Sequence, residues 1–189
     1  WFDTGDLGYL SDGELFLVRL DGTSRKLGGG GGDLLNPGLS PKGGYVSFVR
    51  GQRLWAGQAG GEAAPVTPEE TAETVHWGEA EFVAQEEMDR MTGYWWSPDD
   101  RRIAVQRFDE APVGVVTRAA IGAEGTRTFA QRYPAAGTPN AMVQLFVMNP
   151  DGSHRVEVDL GADKDIYLAR VDWAPDGKLL YVQREDRGQ

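Results

Sequence analysis

Residues Trp96–Phe108 read WSPDDRRIAVQRF, and they form one of three copies of a single pattern. The other copies are LSPKGGYVSFVR (Leu39–Arg50) and WAPDGKLLYVQR (Trp173–Arg184). Each has an apolar residue, Ser or Ala, Pro, two turn-forming residues and then a run rich in β-branched and aromatic residues. Proline fixes φ at such a turn, and β-branched runs favour strands. The repeat therefore predicts a series of strands that are all entered through the same tight turn.

A second pattern alternates with the first. ELFLVRLDGTSRKL (Glu14–Leu27) and QLFVMNPDGSHRVEVDL (Gln144–Leu160) each contain a strand, an Asp-Gly turn and a basic residue before the next strand. This alternation predicts an all-β fold, part of a β-propeller built of four-stranded antiparallel blades. The strands expected most clearly are Glu14–Leu20, Tyr45–Arg50, Arg102–Phe108, Gln144–Asn149 and Leu179–Arg184. A β-sandwich, which also has short strands and Asp-Gly turns, is the alternative.

The number of repeats predicts one partial propeller domain over residues 1–189. It would contain about three blades, with one partial blade at the N-terminus, whereas closed propellers have about four to eight. The run of five glycines at Gly28–Gly32 carries a high chain entropy and predicts a flexible or engineered linker. The abrupt start at Trp1 suggests a piece of a longer protein.

Composition excludes several classes of function. A formal net charge of −10 argues against nucleic-acid binding, and no apolar run is long enough to span a membrane. The absence of cysteine excludes disulfides and thiolate chemistry, and the two histidines, far apart in sequence, argue against a histidine-rich metal site. No serine lies in a G-x-S-x-G motif, so we expect no catalytic residue and no cofactor in this chain.

The segment EFVAQEEMDR (Glu81–Arg90) lies in the best helix candidate, Gly78–Met91, and contains the adjacent carboxylates Glu86 and Glu87. On a helix, Arg90 is four residues after Glu86 and three after Glu87, which favours an ordinary surface salt bridge. The alternative is that both carboxylates converge on a cation, and a primary ammonium with three donors would suit them. A bound metal ion is a further alternative, to be tested by calcium titration.

Four stretches together resemble one family: the N-terminal β-propeller of dipeptidyl peptidase IV-type serine exopeptidases, in the prolyl oligopeptidase superfamily. They are EFVAQEEMDR, GYWWSPDDRRIAVQRFDEAPV (Gly93–Val113), RYPAAGTPNAMVQLFVMN (Arg132–Asn149) and LSPKGGYVSFVRGQRLW (Leu39–Trp55). The double glutamate followed by Trp-Trp-Ser-Pro is the most specific element. The resemblance covers roughly Leu39 to Asn149 and implies one short inserted helix that carries Glu86 and Glu87.

The resemblance also implies a function. Glu86 and Glu87 would bind the free N-terminal ammonium of a peptide, so that dipeptides with Pro or Ala at the second position are released. A C-terminal α/β-hydrolase domain of the parent protein would supply the serine, aspartate and histidine, and this chain alone would be inactive. A homodimer and a periplasmic or secreted location are further expectations from the resemblance. The family's propeller arginine has no match here, because the glycine run occupies its place. The alternative function is a non-catalytic propeller scaffold for protein–protein interaction.

Overall fold

The computed structural model describes residues 5–29 and 32–188, and strands dominate this part of the chain. One short helix, α1 (Phe82–Glu87), lies between β8 and β9. The strands are β1 (Leu7–Ser11), β2 (Glu14–Val18), β3 (Ser24–Gly28), β4 (Leu35–Leu39), β5 (Tyr45–Arg50), β6 (Arg53–Gln58), β7 (Ala64–Pro65), β8 (Val75–Trp77), β9 (Tyr94–Trp96), β10 (Ile103–Asp109), β11 (Val115–Gly122), β12 (Gly125–Arg132), β13 (Met142–Met148), β14 (Val156–Glu157), β15 (Ile166–Trp173) and β16 (Leu180–Asp186).

The strands form antiparallel sheets that follow one another along the chain. The first sheet contains β1–β3, the second β4–β7, the third β8–β10 with β13 and β14, and the fourth β15 and β16. A separate hairpin, β11–β12, is inserted in the third sheet between β10 and β13. The predicted all-β class with one inserted helix is confirmed. The uniform count of four strands is not, since the sheets have three, four, five and two strands.

The predicted strands are found with small shifts at their ends. Tyr45–Arg50 is β5 as predicted, and the other four expected strands correspond to β2, β10, β13 and β16. The shared turn is also confirmed. The amide of Ser40 donates to the carbonyl of Tyr45 at 2.9 Å, and that of Ser97 donates to the carbonyl of Arg102 at 2.8 Å. In each turn the serine hydroxyl accepts the returning amide at 2.9 Å, so the repeated sequence gives a repeated geometry.

The core lies between successive sheets. Buried side chains of the second and third sheets, including Val49, Leu54 and Ile103, form one cluster. Another cluster, including Leu145 and Leu168, joins the third sheet to the fourth. Each sheet thus buries its apolar faces against its neighbours, which is how short blades become stable.

The glycine run begins inside a strand. Gly28 is the last residue of β3 and pairs with Leu15 of β2. Gly30 and Gly31, the centre of the predicted linker, lie outside the described residues. In the described part of the chain, α1 is far too short to cross a lipid bilayer, and no other helix offers a candidate span.

Candidate functional site

The segment with the two glutamates interrupts the chain between two strands, β8 and β9, that both pair with β10. β8 and β9 pair with successive parts of one edge of β10, while β13 occupies the other edge. Between them, the amide of Gly78 donates to the carbonyl of Gln106 at 2.9 Å, and the amide of Gln106 donates to the carbonyl of Gly93 at 2.7 Å. The ladder along β10 is therefore continuous, and residues 79–92 form an excursion from it. We call residues 79–92 the insertion.

Glycine is required at both junctions of the insertion. Gly78 has φ +79°, and a Cβ there would lie 3.0 Å from Cγ2 of Val49. A Cβ at Gly93 would lie 2.1 Å from the carbonyl oxygen of Glu79, because the two chains of the insertion run side by side. A larger residue at either position would force the chains apart. These two glycines thus permit the chain to leave a strand and return to it.

Helix α1 is shorter than predicted and is capped by a buried carboxylate. The Glu81 side chain, 5% exposed, accepts hydrogen bonds from the amides of Val83 at 2.7 Å and Ala84 at 3.0 Å. Burial raises the pKa of Glu81, although these two bonds and nearby Arg90 oppose the shift. The prediction of a helix over Gly78–Met91 is wrong at both ends, because Glu79 and Thr92 pair as a β-bridge instead.

Glu86 and Glu87 end this helix and face solvent. Both side chains are exposed, and α1 ends at Glu87. Neither forms a salt bridge with any other described residue. Exposed carboxylates without an ionic partner offer acceptor atoms to a cation. The structure therefore leaves this pair available for charge-assisted hydrogen bonds to a positive group.

The alternative of a surface salt bridge between these glutamates and Arg90 is wrong. Arg90 is only 6% exposed and turns its guanidinium into the protein. Its Nη1 donates to the carbonyl of Thr92 at 2.8 Å, and its Nη2 donates to the carbonyl of Leu168 at 2.7 Å. The Arg90 guanidinium therefore bonds to main-chain carbonyls and not to the carboxylates of Glu86 and Glu87.

The segment after the hairpin approaches the insertion. The ring of Phe82 packs edge-on against Tyr133, with centroids 5.1 Å apart and planes at 65°. Tyr133 begins the Tyr-Pro-x-Ala-Gly stretch and is 40% exposed. Two of the motif segments noted in the sequence are thus in contact at the site.

The alternative of a metal ion at the glutamate pair gains no support from neighbouring acidic or histidine side chains in the described part of the chain. Across residues 5–29 and 32–188, no group of three or more His, Asp or Glu side chains is arranged to hold a metal ion.

Sequence reasoning missed the supporting residues of the site. Glu81 was overlooked as a cap because glutamate is a poor N-cap by propensity. The structural role of Arg90 depends on Leu168, which lies 78 residues later in the chain. The paired glycines at positions 78 and 93 were the one available signal, since they bracket the insertion.

Comparison with known proteins identifies peptidases as relatives of this chain. The chain is 33% identical to human dipeptidyl peptidase 8 over 136 residues, which are 59% of this chain and 15% of that protein. It is 27% identical to human prolyl endopeptidase FAP over 150 residues, 74% of this chain and 20% of that protein. The chain thus spans a fifth or less of these relatives.

The solved structure of Porphyromonas gingivalis dipeptidyl peptidase 4 superposes with a TM-score of 0.77 at 22% identity. The match covers 97% of this chain and 27% of that one, and it supports the propeller fold. A family model described as the dipeptidyl peptidase IV (DPP IV) N-terminal region matches residues 12–189. Since that match spans nearly the whole sequence, the chain belongs to the family of dipeptidyl peptidase IV N-terminal regions.

Proposed function

We propose that this chain is the substrate-binding and gating propeller of a serine-type dipeptidyl peptidase that removes N-terminal dipeptides from peptides. Glu86 and Glu87 bind the free N-terminal ammonium of the substrate. A C-terminal α/β-hydrolase domain of the parent protein carries the catalytic serine, histidine and aspartate. Family membership and the names of the relatives support this proposal.

One observation carries the role of the glutamates. Both are exposed at the end of α1, while Arg90, the cation nearest to them in sequence, is buried and engaged elsewhere. An ammonium group has three donors, and two carboxylates can accept all of them. The chain's net charge of −10 would also attract a cationic group over some distance.

In the proposed mechanism, binding of the ammonium group determines which peptide bond of the substrate is cleaved. If the ammonium is held at a fixed place, the scissile bond is held at a fixed distance from it. Binding energy at the substrate's end is then used to orient the reacting bond. Cleavage falls after the second residue, and a pocket in the complete enzyme selects Pro or Ala there.

The test uses the complete protein that contains this chain. Glu86→Gln and Glu87→Gln should each lower kcat/KM for a free-amine dipeptide substrate by at least about thirtyfold, as expected for a lost charged partner worth about 2 kcal/mol. Glu124→Gln, an exposed glutamate near the hairpin turn, is the matched control and should have no effect. Unchanged kcat/KM in Glu87→Gln would refute the assignment.

Substrate protonation gives a second readout. An α-amino group has a pKa of about 7.7–8.0, so binding should weaken as the pH rises through that range. The wild-type protein should show this loss, and an N-acetylated peptide should bind weakly at every pH. Equal binding of the two peptides would contradict an ammonium clamp.

The alternative function is a non-catalytic scaffold, and the hairpin β11–β12 favours it. Every residue from Val115 to Thr128 is exposed, including Ile121 at 84%. Apolar side chains on such a ribbon are typical of protein contacts. Labelling of the complete protein by a fluorophosphonate probe separates the two functions, because a scaffold would not react.

The same hairpin supports the proposed homodimer. Ile121→Asp should shift a dimer of the complete protein to monomer in analytical ultracentrifugation. A wild-type protein that sediments as a monomer at all concentrations would reject this proposal.

A further inference from the structure

Arg90 joins the insertion to the neighbouring sheet. Its guanidinium donates to the carbonyl of Thr92 within the insertion and to the carbonyl of Leu168 in β15 of the fourth sheet. Its Cζ lies 5.6 Å from the ring centroid of Trp95, and the Trp173 indole donates to the carbonyl of Trp95 at 3.0 Å. One charged side chain thus contacts the insertion, the strand that follows it and the next sheet.

The charge persists in this buried position. Burial lowers the pKa of Arg90 to about 10, with nearby Glu81 opposing the shift and Arg170 adding to it. The guanidinium therefore remains protonated at neutral pH. A buried cation is costly unless hydrogen bonds compensate it. Two carbonyl oxygens do so for Nη1 and Nη2 of Arg90, whereas its buried Nε has no hydrogen-bond partner among the described residues.

The helix needs such a link. α1 has six residues, and helices of this length do not hold their shape alone. Glu81 caps its first turn, and the amide of Arg90 donates to the carbonyl of Ala84 at 3.0 Å after its last turn. Because so short a helix does not fix its own direction, bonds from outside it must do so.

We infer that Arg90 is a positioning residue, which sets the direction of Glu86 and Glu87 by tying the insertion to β15. This inference rests on the proposed ammonium clamp. Arg90 does not touch the substrate; it determines where the two carboxylates stand relative to the fourth sheet. Arginine suits this role because its planar fork reaches two acceptors at once, whereas lysine is a single point charge.

The test compares amine selectivity in the complete protein. The probes are the dipeptide alanyl-proline and its N-acetyl form. Calorimetry gives both dissociation constants, and the readout is the constant of the N-acetyl form divided by that of the free dipeptide. Arg90→Met should reduce this ratio at least about tenfold, since small misplacements of binding groups can cost about a hundredfold. Arg90→Lys keeps the charge and should recover only part of the selectivity.

The control is Arg101→Met, an arginine with a side chain 84% exposed, which should leave the ratio unchanged. Melting temperatures are recorded for all variants, so that unfolding of the protein is distinguished from misplacement of the Glu86 and Glu87 carboxylates. If Arg90→Met does not fold, Arg90→Lys decides the matter by the same ratio.

The outcomes separate the two claims. Arg90 variants that lose stability but keep the wild-type ratio would overturn the positioning role, provided Glu87→Gln abolishes selectivity. A wild-type protein without amine selectivity would overturn the clamp, and the positioning role would fall with it. A reduced ratio in folded Arg90 variants supports the inference.

Discussion

The carboxylate of Asp100 joins the turns of two successive sheets, and its loss should be measurable. Its Oδ2 accepts from the hydroxyl of Ser40 at 2.6 Å and the amide of Gly44 at 3.1 Å. Its Oδ1 accepts from the amide of Lys42 at 3.0 Å. All three donors belong to the turn of the second sheet, whereas Asp100 belongs to the turn of the third.

Asp100→Asn changes the acceptors while keeping the backbone. Asp100 has φ +61°, which asparagine tolerates well, so backbone strain should not be added. The amide nitrogen cannot accept, which leaves one donor without a partner at about 1–3 kcal/mol, and the two remaining bonds lose their charge assistance at about 0.5–1 kcal/mol each. A cavity of about 580 Å³ beside Asp100 gives water access and reduces the loss. We expect a net decrease of about 2–3 kcal/mol in the free energy of unfolding.

The adjacent residue supplies the control. Oδ1 of Asp99 accepts two hydrogen bonds, from the hydroxyl of Ser97 at 2.7 Å and from the amide of Arg101 at 3.1 Å. An asparagine oxygen can accept the same pair. Solvent screens both the charge of the Asp99 side chain, which is 40% exposed, and its ion pair with Arg101 at 3.8 Å, so Asp99→Asn should cost no more than about 1 kcal/mol.

Urea unfolding followed by tryptophan fluorescence is the assay. Trp96 stacks on Tyr45 at 5.2 Å and reports on the same junction between sheets. Equal unfolding midpoints for Asp99→Asn and Asp100→Asn, with equal m-values, would refute the claim that Asp100 holds successive sheets together.

Other consequences follow from buried groups and from the insertion. Burial raises the pKa of Glu81 above its ordinary 4.5, so the folded state binds a proton more tightly than the unfolded chain. Relative to Glu81→Gln, the wild type should therefore lose stability as the pH rises from 4.5 through the raised pKa, as a series of melting temperatures would show. The Tyr94 hydroxyl donates to the carbonyl of Asn36, and burial raises its pKa to about 12. Tyr94→Phe should cost about 1–1.5 kcal/mol in urea unfolding, equally at pH 6 and pH 9. Gly78→Ala should lower stability by about 1–2 kcal/mol because its φ is left-handed, whereas Gly114→Ala, with open space around it, should be neutral in the same assay.

The parts of the fold that could be predicted depend on local chemistry. The Ser-Pro turns and the strands after them were identified because proline, turn residues and β-branched runs act over a few neighbouring residues. Ser40 and Ser97 close their turns with the same bonds, as the repeat implied. Glu86 and Glu87 are exposed, and their role in binding an ammonium group stays a prediction.

Contacts between distant residues could not be predicted. Helix spacing alone pairs Arg90 with Glu86, and that rule holds only when no better acceptor is near. Leu168 supplies such an acceptor from another sheet. The predicted helix was too long for a related reason. Residues after Glu87 have good helix propensity, but long-range pairing at Thr92 and Gly93 brings the chain back to the sheet.

The candidate site lies in the insertion, and the hydrogen-bond ladder of the third sheet lies outside it. Gly78 and Gly93 bond to Gln106 on either side of the insertion, so the ladder along β10 does not itself use residues 79–92. Exposed side chains of the insertion, such as Glu86 and Glu87, can therefore be changed at little cost to the sheet. The direction of the site is set elsewhere, through Arg90 and the carbonyl of Leu168. It follows that substitutions that shift β15 should change amine selectivity even though β15 contributes no carboxylate to the clamp.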